Sequence, residues 1–154
     1  EGYMRHFAQV LRERGILPSA ITIEVTESAM PSDLASFVEI ATRLRMAGFG
    51  LSLDDYGTGM SNYDVLRLCP FTELKIDRSV VQAATHDALA CGFIGNCVAI
   101  GRTLNLSIVA EGVETEEQAA AMRRLGVPIM QGFLFSRPLV SEAYAKLTHA
   151  SAAA

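Results

Sequence analysis

The chain has 154 residues, half of them apolar, and carries 13 Lys and Arg against 17 Asp and Glu for a net charge of −4. This is enough for one hydrophobic core and one domain at most, and it excludes the general polyanion attraction behind non-specific binding to nucleic acid polymers. No apolar run approaches the ~18 residues of a membrane span and the N-terminus is no signal peptide, so the segment reads as soluble and without direct membrane contact.

In chain order, Tyr3, Phe7, Val10 and Leu11 share one helical face over residues 3–14, and Gly15 stops that helix. The β-branched run ITIEVT, 21–26, is a strand. A second helix, capped by Ser32, carries Leu34, Phe37, Val38, Ala41 and Leu44 on a buried stripe and ends before Gly48. Strand GLSLDD follows, then the turn Gly57-Thr58-Gly59, a short helix over 61–68 and strand ELKID, 73–77. Residues 79–104 read as one long helix, weakened at Gly92 and Gly95. Strand LSIVAEG, 106–112, leads into a helix opened by a capping box, Thr115 with Gln118, and closed by Gly126. A last strand near 128–131 and a helix after Ser141 complete the pattern, with a frayed SAAA tail.

Strand–helix alternation with helices long enough to cross over implies a parallel sheet covered by helices. A doubly wound sheet and part of a (β/α)8 barrel both fit. Glu24, Asp54, Asp55, Lys75, Asp77, Glu111 and Gln131 fall within or at the C-terminal part of successive strands, the rim on which barrels build their sites, and this favours the barrel. About five β/α units are present where a barrel needs eight, so the expected fold is an N-terminally truncated TIM-like barrel, with residues 1–154 one partial domain.

Strand alternation sends Asp54 and Asp55 to opposite faces, so at least one of them needs a counter-charge. Gathered on one rim, Glu24, Asp54, Asp55 and Glu111 would repel by about 4 kcal/mol for each pair at ~4 Å, relieved by protonation or by a bound cation. All-oxygen donors favour Mg²⁺, Mn²⁺ or Ca²⁺ over zinc, and His6, His86 and His149 fall on helices or loops and read as surface residues. Two adjacent aspartates suit a two-ion site for phosphoryl transfer on a phosphoester. Within its strand Lys75 must snorkel or reach a polar pocket, where an ammonium orients a water nucleophile or offsets phosphate charge. Taken singly, Glu24 and Glu111 are solvated strand ends, Lys75 with Asp77 is a structural ion pair, and the glycine turn is only a turn. The joint pattern over four strands is what points to a metal site. The three cysteines, Cys69, Cys91 and Cys97, form no C-x-x-C pair and read as core thiols of a reducing, cytoplasmic compartment.

IEVTES (23–28), DDYGTGMSN (54–62), LKIDRSVV (74–81), VAEGVET (109–115) and QGFLFSRPL (131–139) closely resemble, in order and spacing, the EAL family of bacterial cyclic di-GMP phosphodiesterases. The resemblance implies a barrel with one antiparallel strand that hydrolyses cyclic di-GMP to linear pGpG with Mg²⁺ or Mn²⁺, working as a homodimer in the cytoplasm, in a parent chain that can be membrane-tethered. By resemblance Glu24 and Asp54 are metal ligands and Asp55 recruits the second ion. Lys75 contacts the water nucleophile, Glu111 is the second-sphere or base-like glutamate, and Gln131 neighbours water or metal. Glu27 anchors the DDYGTG loop, Asp77 and Glu114 line the site, and Arg137 and Pro138 lie near a guanine or phosphate.

Tyr56 and Met60 stand where the family more often has Phe and Tyr, in a segment that couples the metal site to dimerisation. The Glu-Ala-Leu motif and the asparagine of the next strand, both metal ligands in the family, do not occur before residue 24. The isolated segment is therefore expected to be inactive or nearly so. The reading from a different class is a catalytically inactive module that binds cyclic di-GMP, against which the intact set of acids speaks.

Overall fold

The computed structural model describes residues 2–59 and 63–151. Met60, the first residues expected of the 61–68 helix and the last three of the SAAA tail lie outside the described residues, as does the side chain of His149.

Helix α1, Gly2–Glu13, sets Phe7 against Phe49 with ring centroids 5.9 Å apart and buries Leu11. Strand β1, Thr22–Thr26, is followed by helix α2, Leu34–Met46. The cap of α2 is Asp33 and not Ser32: the Asp33 carboxylate accepts the Ser36 N–H at 3.1 Å. A carboxylate satisfies the same unpaired donor as a hydroxyl and adds a favourable charge at the positive end of the helix.

Strand β2, Gly50–Tyr56, helix α3, Tyr63–Leu68, and strand β3, Glu73–Ile76, come next. The single helix expected over 79–104 is two, α4 at Arg78–Ala83 and α5 at Ala88–Leu104. Asp87 makes the break, accepting the Leu89 N–H at 2.8 Å and starting a new helix. Gly92 and Gly95 lie inside α5 with open space about them and interrupt nothing. Strand β4, Ser107–Ala110, precedes helix α6, Glu116–Leu125, which has the complete Thr115–Gln118 capping box and a left-handed Gly126 at its end. Strand β5, Ile129–Met130, and helix α7, Ser141–Ser151, follow.

All four strand pairings are parallel and the order is β1-β2-β3-β4-β5. That order separates the two architectures the sequence left open. A doubly wound sheet reverses its strand order at a switch point, whereas a barrel wall adds each strand beside the last. This sheet has no reversal and is a stretch of barrel wall.

Alternation gives the sheet two unlike faces. Leu51, Leu53, Leu74, Ile76, Ile108 and Ala110 are buried with Val81, Ile94, Cys97 and Met122 of the covering helices in one core. Each fully buried aliphatic side chain of that set contributes about 1.5–3 kcal/mol relative to its exposed state. Ser52, Asp54, Lys75 and Val109 alternate with these residues and occupy the opposite, interior face of the wall. The core thus fixes the strands from one side and leaves polar residues on the other. Among the described residues, no helix is long and apolar enough to cross a membrane.

Candidate metal and phosphoester site

At the C-terminal rim the ladders continue as single bonds from each strand end to the next. Asp77 donates its N–H to the Tyr56 carbonyl at 3.2 Å, Glu111 to Ile76 at 3.1 Å and Gln131 to Ala110 at 2.9 Å. Four successive strands are therefore tied together at the level where their polar residues emerge.

Asp54 and Asp55 do not obey strand alternation. The register between β2 and β3 shifts between Leu53 and Tyr56, and Asp55 takes a left-handed backbone at φ 56°. This local bulge re-aims a side chain, as bulges do beside functional sites. As a result one oxygen each from Asp54, Asp55 and Glu111 lies within 4.8 Å of the other two. The expectation of opposite faces is overturned by that one residue's backbone.

Lys75 supplies the counter-charge. It is 6% exposed, and its Nζ lies 2.9 Å from Glu24, 3.3 Å from Asp54 and 2.7 Å from Glu111. Burial disfavours its charge, but hydrogen bonds to Glu111 and Glu24 outweigh that cost and raise its pKa. Glu111 is shifted up by burial, only partly offset by Lys75, with Asp54 and Glu24 adding repulsion. Lys75 makes no ion pair with Asp77. The Asp77 carboxylate instead caps α4, accepting the Ser79 N–H at 2.8 Å and the Ser79 hydroxyl.

The oxygen donors fit a divalent cation of the hard class. Three carboxylates converge with one ammonium among them, an acid excess that leaves room for positive charge, and neither histidine nor thiol contributes. Of the residues expected as ligands, Asp54 and Asp55 are in this group, while Glu24 lies outside it, half-exposed and bound to Lys75. Glu111, expected in a base-like role, is within it.

The loop after β2 is held from below. One carboxylate oxygen of Glu27 accepts the N–H groups of Gly57 and Gly59, both at 3.2 Å. Thr58 returns its hydroxyl to the Asp55 carbonyl at 2.9 Å, and Tyr56 stacks on Phe93 of α5 with centroids 5.6 Å apart. Gly57 has φ 105°, and a Cβ there would come within 3.0 Å of the Phe93 ring, so the turn needs glycine for both conformation and space.

A cavity of about 310 Å³ opens beside the carboxylates, bringing together Asp55, Asp77, Glu111, Glu114 and Gln131. Arg137 lies over the exposed ring of Phe133, 4.8 Å from its centroid, and does not line that cavity; nor does Pro138. Sequence reasoning passed over Arg78 and Phe133, which do line it. Arg78 follows a strand motif at a helix start, where a lone arginine reads as solvated, and only the fold shows that β4 comes alongside.

A family model described as the EAL domain matches residues 1–138. The bifunctional diguanylate cyclase/cyclic di-GMP phosphodiesterase MucR of Pseudomonas aeruginosa is 42% identical over 141 residues, 92% of this chain and 21% of that protein. The cyclic di-GMP phosphodiesterase RocR of the same organism is 40% identical over 134 residues, 87% of this chain and 34% of that one. The chain therefore spans about a fifth to a third of these curated relatives. Among solved structures, the PaMucR phosphodiesterase in complex with c-di-GMP superposes with a TM-score of 0.82 at 43% identity, over 88% of this chain and 55% of that one. Klebsiella pneumoniae BlrP1 in a manganese/cy-diGMP complex superposes with a TM-score of 0.83 at 31% identity, over 88% and 34%. With the same barrel wall and a family match along most of its length, the chain belongs to the EAL domain family.

Proposed function

We propose that these residues are the C-terminal part of a barrel that hydrolyses cyclic di-GMP to linear pGpG with two Mg²⁺ or Mn²⁺ ions, and that residues 1–154 make one partial barrel domain. The observation that carries the reading is the convergence of Asp54, Asp55 and Glu111 within 4.8 Å around the buried Lys75, beside an open cavity. Kinship with MucR and RocR, whose names state cyclic di-GMP phosphodiesterase activity, supports the choice of substrate.

Asp54 and Asp55 would hold the ions, with Glu24 on the neighbouring strand as a further ligand and Glu111 beside them. A divalent ion bound there supplies Lewis acidity toward the phosphate and toward water. Lys75 keeps its proton, so it acts as a fixed hydrogen-bond donor that orients water and stabilises developing negative charge. Glu111, made more basic by burial, is the best placed proton acceptor of the set. Glu27 acts by position, fixing the loop that sets Asp54 and Asp55. Asp77, Glu114 and Gln131 line the pocket for the dinucleotide, and Arg137 and Pro138 meet its periphery. A cytoplasmic homodimer belongs to the same reading: the dimer rests on the likeness of the DDYGTG loop, the compartment on three cysteines that form no disulfide.

Turnover by the 154 residues alone is expected to be slight, because Glu24 stands on an edge strand with its side chain half in solvent. The test is product analysis with cyclic di-GMP and Mn²⁺, on this chain and on one carrying the remaining β/α units of a whole barrel. The whole barrel should release pGpG and the short chain hardly any. Tight binding by the whole barrel with no pGpG would leave a receptor and end the enzyme reading.

A further inference from the structure

The cavity beside the carboxylates has one cationic side chain among the described residues that line it, Arg78. Three features of its setting are unusual for a surface arginine. It is the first residue of α4, directly after Asp77, whose carboxylate is committed to the cap and to Ser79. The backbone at the end of β4 presses on its stem: a Cβ added to Gly112, at φ 64°, would lie 2.4 Å from Arg78 Cβ. And although Asp55, Asp77, Glu111 and Glu114 line the same cavity, no ion pair or hydrogen bond holds the Arg78 side chain among the described residues.

A phosphodiester entering this cavity meets an excess of carboxylates. The Lys75 ammonium is already paired with Glu24, Asp54 and Glu111, and Arg137, stacked on the lining residue Phe133, is not itself in the lining. Arg137 meets the ligand only at its periphery, and Lys75 cannot turn to an incoming anion without giving up its partners. Arg78 can, and a guanidinium offers two parallel N–H donors to two phosphate oxygens, a geometry that lysine cannot reproduce.

We infer that Arg78 is a substrate-binding residue, the guanidinium that takes the phosphodiester oxygens of the ligand in this cavity. Gly112 comes close only to the base of the Arg78 side chain, which leaves the exposed guanidinium free to turn to a ligand. This rests on the proposed function and adds to it the group that recognises the substrate's charge.

The experiment measures cyclic di-GMP affinity calorimetrically with Ca²⁺, and Mn²⁺ affinity separately without nucleotide, for a whole barrel carrying this segment, unsubstituted and as Arg78→Ala, Arg78→Lys and Arg102→Ala. Arg102 lines a different cavity, with Ser107 at the opposite end of β4, and controls for loss of one positive charge. Arg78→Ala should weaken cyclic di-GMP binding about ten- to hundredfold, the scale of one charge-assisted contact. Arg78→Lys should recover part of that loss, and Mn²⁺ affinity and melting temperature should be unchanged. Arg102→Ala should bind as the parent does. If Arg78→Ala and Arg102→Ala bind the nucleotide equally well, the role of Arg78 is refuted while the proposed function stands. If the unsubstituted whole barrel binds Mn²⁺ but no cyclic di-GMP, the proposed function falls and this assignment with it.

Discussion

Asp55 gives its own N–H to the carboxylate of Asp54 at 3.0 Å, and does so by turning its backbone left-handed at φ 56°. One residue thus carries a strain and a ligand oxygen together. Replacement by glycine separates them. Asp55→Gly should raise unfolding free energy by about 1 kcal/mol, since glycine adopts this conformation freely and one repelling carboxylate is gone. The same substitution should weaken Mn²⁺ binding. Chemical denaturation beside calorimetric titration gives both signs, and a stability loss would show that the left-handed turn is not the source of strain.

Asp54 faces Lys75 and Glu111 in the centre of the group. Asp54→Asn keeps the size and an acceptor for the Asp55 N–H, so the melting temperature should move by only a few degrees. Turnover in a whole barrel should fall by about two orders of magnitude or more, beyond what loss of an outer-shell partner costs. Retention of most activity would remove Asp54 from the ligand set.

Glu27 holds Gly57 and Gly59 with a single oxygen. Glu27→Gln keeps an acceptor and should be mild, whereas Glu27→Ala leaves two N–H groups without a partner and frees the turn. Amide exchange read at Gly57 and Gly59 should speed up in the alanine variant, by about ten- to a hundredfold for 1–3 kcal/mol of local opening. Mn²⁺ affinity should fall in step. Unchanged exchange at both glycines would mean that the loop is held by other contacts.

Cys97 lies in the core, where burial pushes its thiol up to about 12. The folded state holds this proton more tightly than the unfolded chain, whose thiol ionises near 9. The proton count therefore favours unfolding as pH rises from about 9 toward 12, and this contribution is absent below 9. Stability curves should show the alkaline loss reduced in Cys97→Ala relative to its value at neutral pH. Iodoacetamide at pH 8 should leave Cys97 unmodified in the folded chain and label it in denaturant.

Much of the scaffold was legible because short-range chemistry writes it. Thr115 and Gln118 announce a helix start by their spacing, and each residue's partner lies within one turn. The break between α4 and α5 is not legible in the apolar spacing over 79–104, because Asp87, the cap that makes it, falls inside that helical pattern, while Gly92 and Gly95, the weak points of the pattern, are accommodated by α5. Alternation placed Lys75 and Glu111 on the strands that carry them. It could not foresee that Asp54 and Asp55 point together, since a register shift is set by how β2 meets β3 and not by either strand alone. The partners of Lys75 lie on two other strands and just past the end of a third, and sequence spacing holds no record of such distances.

The ammonium of Lys75, set among Glu24, Asp54 and Glu111, is an internal counter-ion that the chain carries for itself. It lets the acids stay close without outside help, so the rim is assembled in advance and metal has only to dock. Chelation should therefore leave the melting temperature of the chain nearly unchanged. A centre whose architecture depended on its ions would lose its shape each time they left.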